Sequence, residues 1–150
     1  MKKPAKERQP VKIHITNVVR QMESEEKTEM SVSGVFYLHE GNRYLHYEER
    51  QVTGEVRTVL KLSEEELLLL RSGAVNMRMH FFRDKRRSTA SIDSGAGNFL
   101  FESELVALEE NFQPADGLFG EIAFQYDLLQ AGSYIGSYNV KMRIEEDKEV

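Results

Sequence analysis

The chain contains no cysteine and no tryptophan, and only three prolines among its 150 residues. Without cysteine it can form neither a disulfide nor a thiolate zinc site, and no thiol nucleophile is available. A cytosolic home is the simplest expectation. The chain also lacks an apolar run of signal-peptide or membrane-spanning length, including behind the basic start MKKPAKERQP, so neither secretion nor membrane insertion is expected. Histidines number four, none in an HExxH spacing, and no GxSxG turn marks a serine nucleophile. The glycine-rich stretch DSGAGN, Asp93 to Asn98, runs into strand-like sequence where a phosphate-cradling loop would run into a helix, and reads as a bend. His46 and Glu48 would share one strand face and could approach a metal together with His39 or His80, but no orienting partner is evident. Surface or barrel-edge histidines are the simpler reading. No enzymatic activity, metal or cofactor is expected.

Charge of one sign is not in excess: 20 basic against 25 acidic residues give a net charge of −5, which repels polyanions on average. Basic residues do cluster locally, in an arm with Lys2, Lys3, Lys6, Arg8 and Lys12 and in the loop RDKRR from Arg83 to Arg87. A nucleic-acid surface would place such charges on one face beside exposed aromatics. The arm reads instead as a frayed terminus and the loop as a solvated hairpin turn, so nucleic acid is an unfavoured partner. The acidic cluster Glu23 to Glu29 and the tail EEDKEV read as solvated ends or loops.

Hydrophobic residues at 40% and charged residues at 30% describe an ordinary globular chain, long enough to bury roughly 70% of its unfolded surface in one domain. Its apolar residues recur with a period of two, the mark of half-buried strands. Val11, Ile13 and Ile15 alternate with Lys12, His14 and Thr16 in a strand reaching about Arg20. Thr28, Met30, Val32 and Phe36 mark a second, kinked at Gly34. Beyond the turn HEGNR, Tyr44 to Arg50 form a third, and Val56, Thr58, Leu60 and Leu62 share one face of a fourth. Later come Ser88 to Ile92, then Phe99, Phe101 and Leu105, then, after the turn QPADG, Ile122, Phe124, Tyr126 and Leu128. Tyr138, Val140, Met142 and Ile144 close the series.

One stretch, KLSEEELLLLRSGAVNMRMHFF from Lys61 to Phe82, carries a competing signal. Ser63 three residues before Glu66 is a capping-box pattern, and Gly73 stands where a helix would stop. Four consecutive leucines, 67–70, would nevertheless encircle a helix without giving it a face. Val75, Met77, Met79 and Phe81 then alternate with Asn76, Arg78 and His80. The stretch is therefore read as a hairpin with strands at 66–72 and 75–83, and one helical turn at 63–66 is left open. Nine or ten strands on hairpin connections, with no internal repeat, close into a barrel or split into a sandwich. Long strands and interior glycines favour an all-β, single antiparallel up-and-down barrel of about 8–10 strands over residues 11–147, preceded by a flexible basic arm, residues 1–10.

The succession KIHITNVVR, GVFYLHEGNRYLHYEE, LLLLRSGAVNMRMHF, a glycine bend, GEIAFQYDL and YNVKMRIEED resembles the YwiB-like family of bacterial proteins over about residues 10–147. The most specific parts are Arg71-Ser72-Gly73 leading into Asn76, Met79 and Phe81, and Tyr126 in the penultimate strand. The resemblance implies a lipocalin-like, or calycin, β-barrel and no assigned biochemical function. Where relatives often carry a Thr-Pro-Tyr-Gly-like bend, this chain has Ser94, Gly95, Ala96 and Gly97.

A barrel of this size is filled by its own side chains or holds one small ligand. Met77, Met79, Phe81, Phe99, Phe101, Phe124 and Tyr126 are candidates to line such a lumen and equally suit a packed core. Arg71 and Arg78 join them as candidates: an inward arginine would need an anionic partner, a carboxylate such as Glu48 or a ligand head group. Three functions follow. Binding of one small, partly apolar ligand in the barrel is preferred to a non-catalytic interaction or structural module, homodimeric or not, with a filled barrel. A nucleic-acid-associated protein ranks last.

Overall fold

In the computed structural model, which describes residues 8–93, 95–112 and 120–147, the alternating segments form ten strands. These are β1 (Gln9–Gln21), β2 (Ser24–His39), β3 (Asn42–Gln51), β4 (Gly54–Leu62) and β5 (Glu66–Gly73), then β6 (Asn76–Phe82), β7 (Ser88–Asp93), β8 (Asn98–Phe112), β9 (Gly120–Gln130) and β10 (Ser133–Glu146). Each pairs antiparallel with its sequence neighbours, and β1 closes the barrel against β10. No helix occurs among the described residues. Strand β1 begins at Gln9, so Gln9 and Pro10 belong to the barrel and not to the arm. Residues 1–7 of that arm, the turn QPADG and the last three residues of the tail lie outside the described residues.

Hairpins alternate between two ends. The turns after β1, β3, β5, β7 and β9 crown one end, here the mouth; the other end, the base, carries the remaining connections and the outer ends of β1 and β10. Register brings the apolar members of neighbouring strands together: Ile13 faces Val32 on one side and Ile144 on the other, Leu60 lies between Leu45 and Leu69, and Leu67 faces Phe81. The packed core sits toward the base, where Val11, Ile13, Leu60, Leu67, Phe81 and Ile122 are wholly buried.

The leucine run divides in two. Leu67 and Leu69 point into the core, while Leu68 and Leu70 lie half-buried on the outer face. The capping-type signal before it is real but serves a turn: the Ser63 hydroxyl accepts from the Glu66 N–H at 3.2 Å, and the Ser63 N–H donates to the Glu66 carbonyl at 3.0 Å. The helical turn left open at 63–66 is therefore absent. The acidic cluster is also corrected, since Glu25, Glu26 and Glu29 belong to β2 as exposed strand residues.

Besides a register shift between Tyr134 and Gly136 in β10, two irregularities shape the ends. A bulge in β8 between Leu105 and Ala107 shifts the inward parity, so that Leu108, Glu110 and Phe112 follow Ser103 and Leu105 into the interior. Glu110 thereby reaches Arg83 and, at 3.5 Å, Arg43, whose guanidinium also lies over the Phe112 ring at 4.4 Å. The second irregularity is in the wall. Strands β2 and β3 pair only from Gly34–Tyr47 to His39–Asn42. Toward the mouth, Ser24 to Ser33 pair with β1 alone and Glu48 to Gln51 with β4 alone, leaving the seam between β2 and β3 unzipped.

Candidate functional site

A cavity of about 520 Å³ occupies the mouth half of the barrel beside this open seam. Its walls are mainly apolar, with Met30, Leu69, Met77, Met79, Ile92 and Leu128 among them, and Phe124 and Tyr126 border it toward the base. Beneath Tyr126 lies Phe81, ring centroids 4.6 Å apart. Thr28 on β2 and Gln51 on β3, on the two sides of the unzipped seam, are polar parts of the lining.

One ion pair stands inside. Arg71 shares the parity of Leu67 and Leu69, so it points inward opposite Thr58 and Met77. Its Nη2 donates to Glu49 Oε1 at 2.5 Å. The side chains are 23% and 14% exposed, and Arg71 Nε is buried with no hydrogen-bond partner. Two phenols lie within electrostatic range of the guanidinium. Burial pushes Tyr47 above the ordinary tyrosine range, and pushes Tyr126 further, helped by the neighbouring Tyr138 and opposed by Arg71. Both are neutral O–H groups at physiological pH. Tyr126 stacks on Tyr138 at 5.0 Å, and the Tyr138 hydroxyl accepts from Gln21 Nε2 at 3.0 Å, tying the wall to the mouth. Chemically, the chamber offers an apolar envelope and a compact polar group that can both donate and accept.

The candidate residues sort as follows. Arg71, Met77, Met79, Phe124 and Tyr126 line the cavity. Phe81 is wholly buried beneath it, Phe101 is half-buried against the core, and Phe99 stands at the mouth, 43% exposed. Arg78 is a correction. It alternates between Met77 and Met79, so it lies on the outer face, where Nη2 meets His80 Nε2 at 3.2 Å. Glu48 is likewise outside, 3.7 Å from Arg57, and the partner of Arg71 is Glu49. Glu49 was missed although its parity with Leu45 and Tyr47 could have revealed it. The lining residues on β1, β2 and β10, such as Asn17, Met30 and Tyr138, follow only from cross-strand register.

Other groups weighed from sequence fall apart or rearrange. His46 shares the outer face of β3 with Glu48, as expected, but its Nε2 lies 2.8 Å from the Tyr37 hydroxyl, and no group of three or more potential metal ligands occurs among the described residues. In the basic loop, Arg83 pairs with Glu110, Arg86 with Asp84 at 2.7 Å and Arg87 with Glu104 at 3.2 Å. One grouping was not foreseen: His14 Nδ1 lies 2.7 Å from Ser31 Oγ, and its Nε2 lies 3.3 Å from Glu145. These side chains line up across three adjacent strands on the solvent side. Arg143 also draws Glu145, at 3.1 Å, and the backbone of β1 is engaged by strands on both sides, so the row reads as a cross-strand polar ladder.

No helix among the described residues is long and apolar enough to cross a membrane. The "Uncharacterized beta-barrel protein YwiB" of Bacillus subtilis (strain 168) is 36% identical over 76 residues, which are 51% of this chain and 54% of that protein. The aligned stretch thus spans about half the length of that relative. The crystal structure of ywiB protein from Bacillus subtilis matches with a TM-score of 0.83 and 25% identity over 96% of each chain. Residues 13–142 match the family described as "Domain of unknown function (DUF1934)", and the chain belongs to that family as a ten-stranded, closed antiparallel barrel.

Proposed function

We propose that the protein is a cytosolic, non-catalytic binder of one small, partly apolar molecule held in the mouth half of its barrel. The observation that carries this reading is the cavity of about 520 Å³ with largely apolar walls and one inward ion pair. Small-molecule sites commonly enclose roughly 300–1,000 Å³ and combine an apolar lining with a few convergent polar groups. A packed core of hydrophobic residues would serve stability at least as well as a buried arginine and glutamate, so the pair is better accounted for by orienting a ligand. Arg71, Glu49, Met77, Met79, Phe124 and Tyr126 would make the contacts, with Phe99 at the rim. Native mass spectrometry of protein purified gently from its own host, set against the denatured mass, tests the reading. A reproducible mass excess lost on denaturation is expected; a bare mass from every preparation would count against it.

A second reading, an interaction module, is favoured by one observation. Met22 and Val52 are fully exposed in the turns after β1 and β3, and Leu100 and Tyr134 are exposed near the starts of β8 and β10, so all four belong to the mouth end. A second copy or another protein seated there would cover them. The same native spectrum reports a homodimer directly. Nucleic acid is the least favoured partner, because Arg83, Arg86 and Arg87 already face protein carboxylates.

A further inference from the structure

Three charged side chains border the cavity: Arg71, Glu49 and Glu29. Glu29 sits on the exposed part of β2, 3.5 Å from Lys27, so the charge balance of the chamber is set by the other two. Glu49 lies 2.5 Å from Arg71 and cancels its charge within the lumen. A carboxylate brought to the guanidinium would therefore lie against a second carboxylate in a poorly hydrated space, where like charges repel strongly. An ammonium brought to Glu49 would lie against Arg71 and meet the same difficulty. Besides the unpartnered Arg71 Nε, two groups beside the ion pair matter here. Arg71 engages Oε1 of Glu49, whereas Oε2 makes no hydrogen bond among the described residues, and neither does the hydroxyl of Tyr126. One is an acceptor and the other a donor. A polar ligand group that leaves either unanswered forfeits part of its own desolvation.

We infer that the bound molecule presents a formally neutral amide-type group, a carbonyl beside an N–H, on an apolar body. The carbonyl accepts from the Tyr126 hydroxyl or the guanidinium edge, and the N–H donates to Glu49 Oε2. The apolar body lies along Met77, Met79, Ile92 and Leu128. This inference rests on the ligand-binding reading above and adds the class of ligand. It explains the ion pair in a way that a filled barrel does not: Arg71 and Glu49 together act as a neutral donor–acceptor edge and reject charged head groups of either sign.

Three probes with one tail and different heads test it: decanamide, decanoate and decylamine, titrated calorimetrically into the full chain near pH 7. Decanamide is expected to bind at least about tenfold more tightly than either charged probe, a modest cost for a like-charge encounter. In Glu49→Gln the charge of Arg71 is no longer balanced. Decanoate is then expected to gain at least about tenfold and to overtake decanamide, while decylamine weakens further. The inference is overturned if decanoate or decylamine is the tightest probe for the wild-type chain, or if Glu49→Gln leaves the order unchanged. Failure of all three to bind would sink the ligand-binding reading itself, and the inference with it. Should Glu49→Gln fail to fold, the order of the three probes on the wild-type chain still decides.

Discussion

Arg71 and Glu49 are inside the barrel because each shares the parity of its strand's apolar residues: Leu67 and Leu69 for the arginine, Leu45 and Tyr47 for the glutamate. Removing one member strands the other. Loss of one partner of a fully buried pair costs about 3–5 kcal/mol. Because this pair borders an open cavity and remains partly exposed, Arg71→Met should cost about 2 kcal/mol after allowing for water in the chamber. Adding Glu49→Leu should recover most of the loss, because the double variant strands no charge. Urea unfolding of both ligand-free variants measures this; a double variant no more stable than the single one would contradict it. The buried phenols make a separate prediction. Tyr47 and Tyr126 are raised above their ordinary range by burial, so the folded chain keeps protons that the unfolded chain gives up near pH 10. Their contribution is complete below about pH 10 and is lost as the pH rises above it. The urea midpoint should hold to about pH 9.5 and then fall, less steeply in Tyr126→Phe. In an ultraviolet titration of the six tyrosines, these two should ionise above the ordinary tyrosine range while the barrel stays folded.

At the scale of the element, the open seam between β2 and β3 separates a strand's sequence from its pairing. Backbone groups of Ser24 to Ser33 that face β3 have no ladder partner in the structure, whereas β1 is paired on both sides. Hydrogen exchange should therefore be fast at alternate amides of this segment and slow along β1; uniform protection of both strands would mean that the seam closes in solution. Gly34 forms the last pair before the opening. A Cβ there would meet the His46 carbonyl oxygen at 2.3 Å, a backbone atom that cannot turn aside. Gly34→Ala should cost about 2 kcal/mol as an overpacking change and lengthen the unpaired stretch. A kink at Gly34 was expected from sequence; the structure shows instead unbroken pairing through Gly34 and a close approach of the His46 carbonyl that only glycine admits.

The same contrast explains what else was legible. Alternation is a property of each strand alone, so Met77, Met79 and Phe81 disclosed β6; the same alternation puts Arg78 on the outer face, against its reading as a lumen candidate. The leucines at 67–70 have no alternation, which left the direction of Arg71 open until register with Met77 settled it. The bulge after Leu105 turns Glu110 inward with no local signal. Pairing limits, such as the end of the β2–β3 seam, depend on two strands at once and cannot be read from either.

Across the whole molecule, packing and open space lie at opposite ends of one barrel. Toward the base, Phe81, Leu67 and Ile122 are wholly buried, and Glu110 with Arg43 and Arg83 adds an ion-pair cluster there; toward the mouth, the walls surround about 520 Å³ of space beside an unzipped seam. Stability should follow the first and binding the second. Phe81→Ala removes an aromatic ring from the packed region and should cost about 3–5 kcal/mol. Ile92→Phe adds volume on a cavity wall, where there is room to receive it, and should change stability by less than about 1 kcal/mol. The two variants should part again in the native mass spectrum: Ile92→Phe, folded and stable, should lose any mass excess that the wild-type chain carries. If Ile92→Phe instead costs about 1–3 kcal/mol, the signature of a crowded core, the mouth half is packed in solution, and the case for a ligand chamber fails with it.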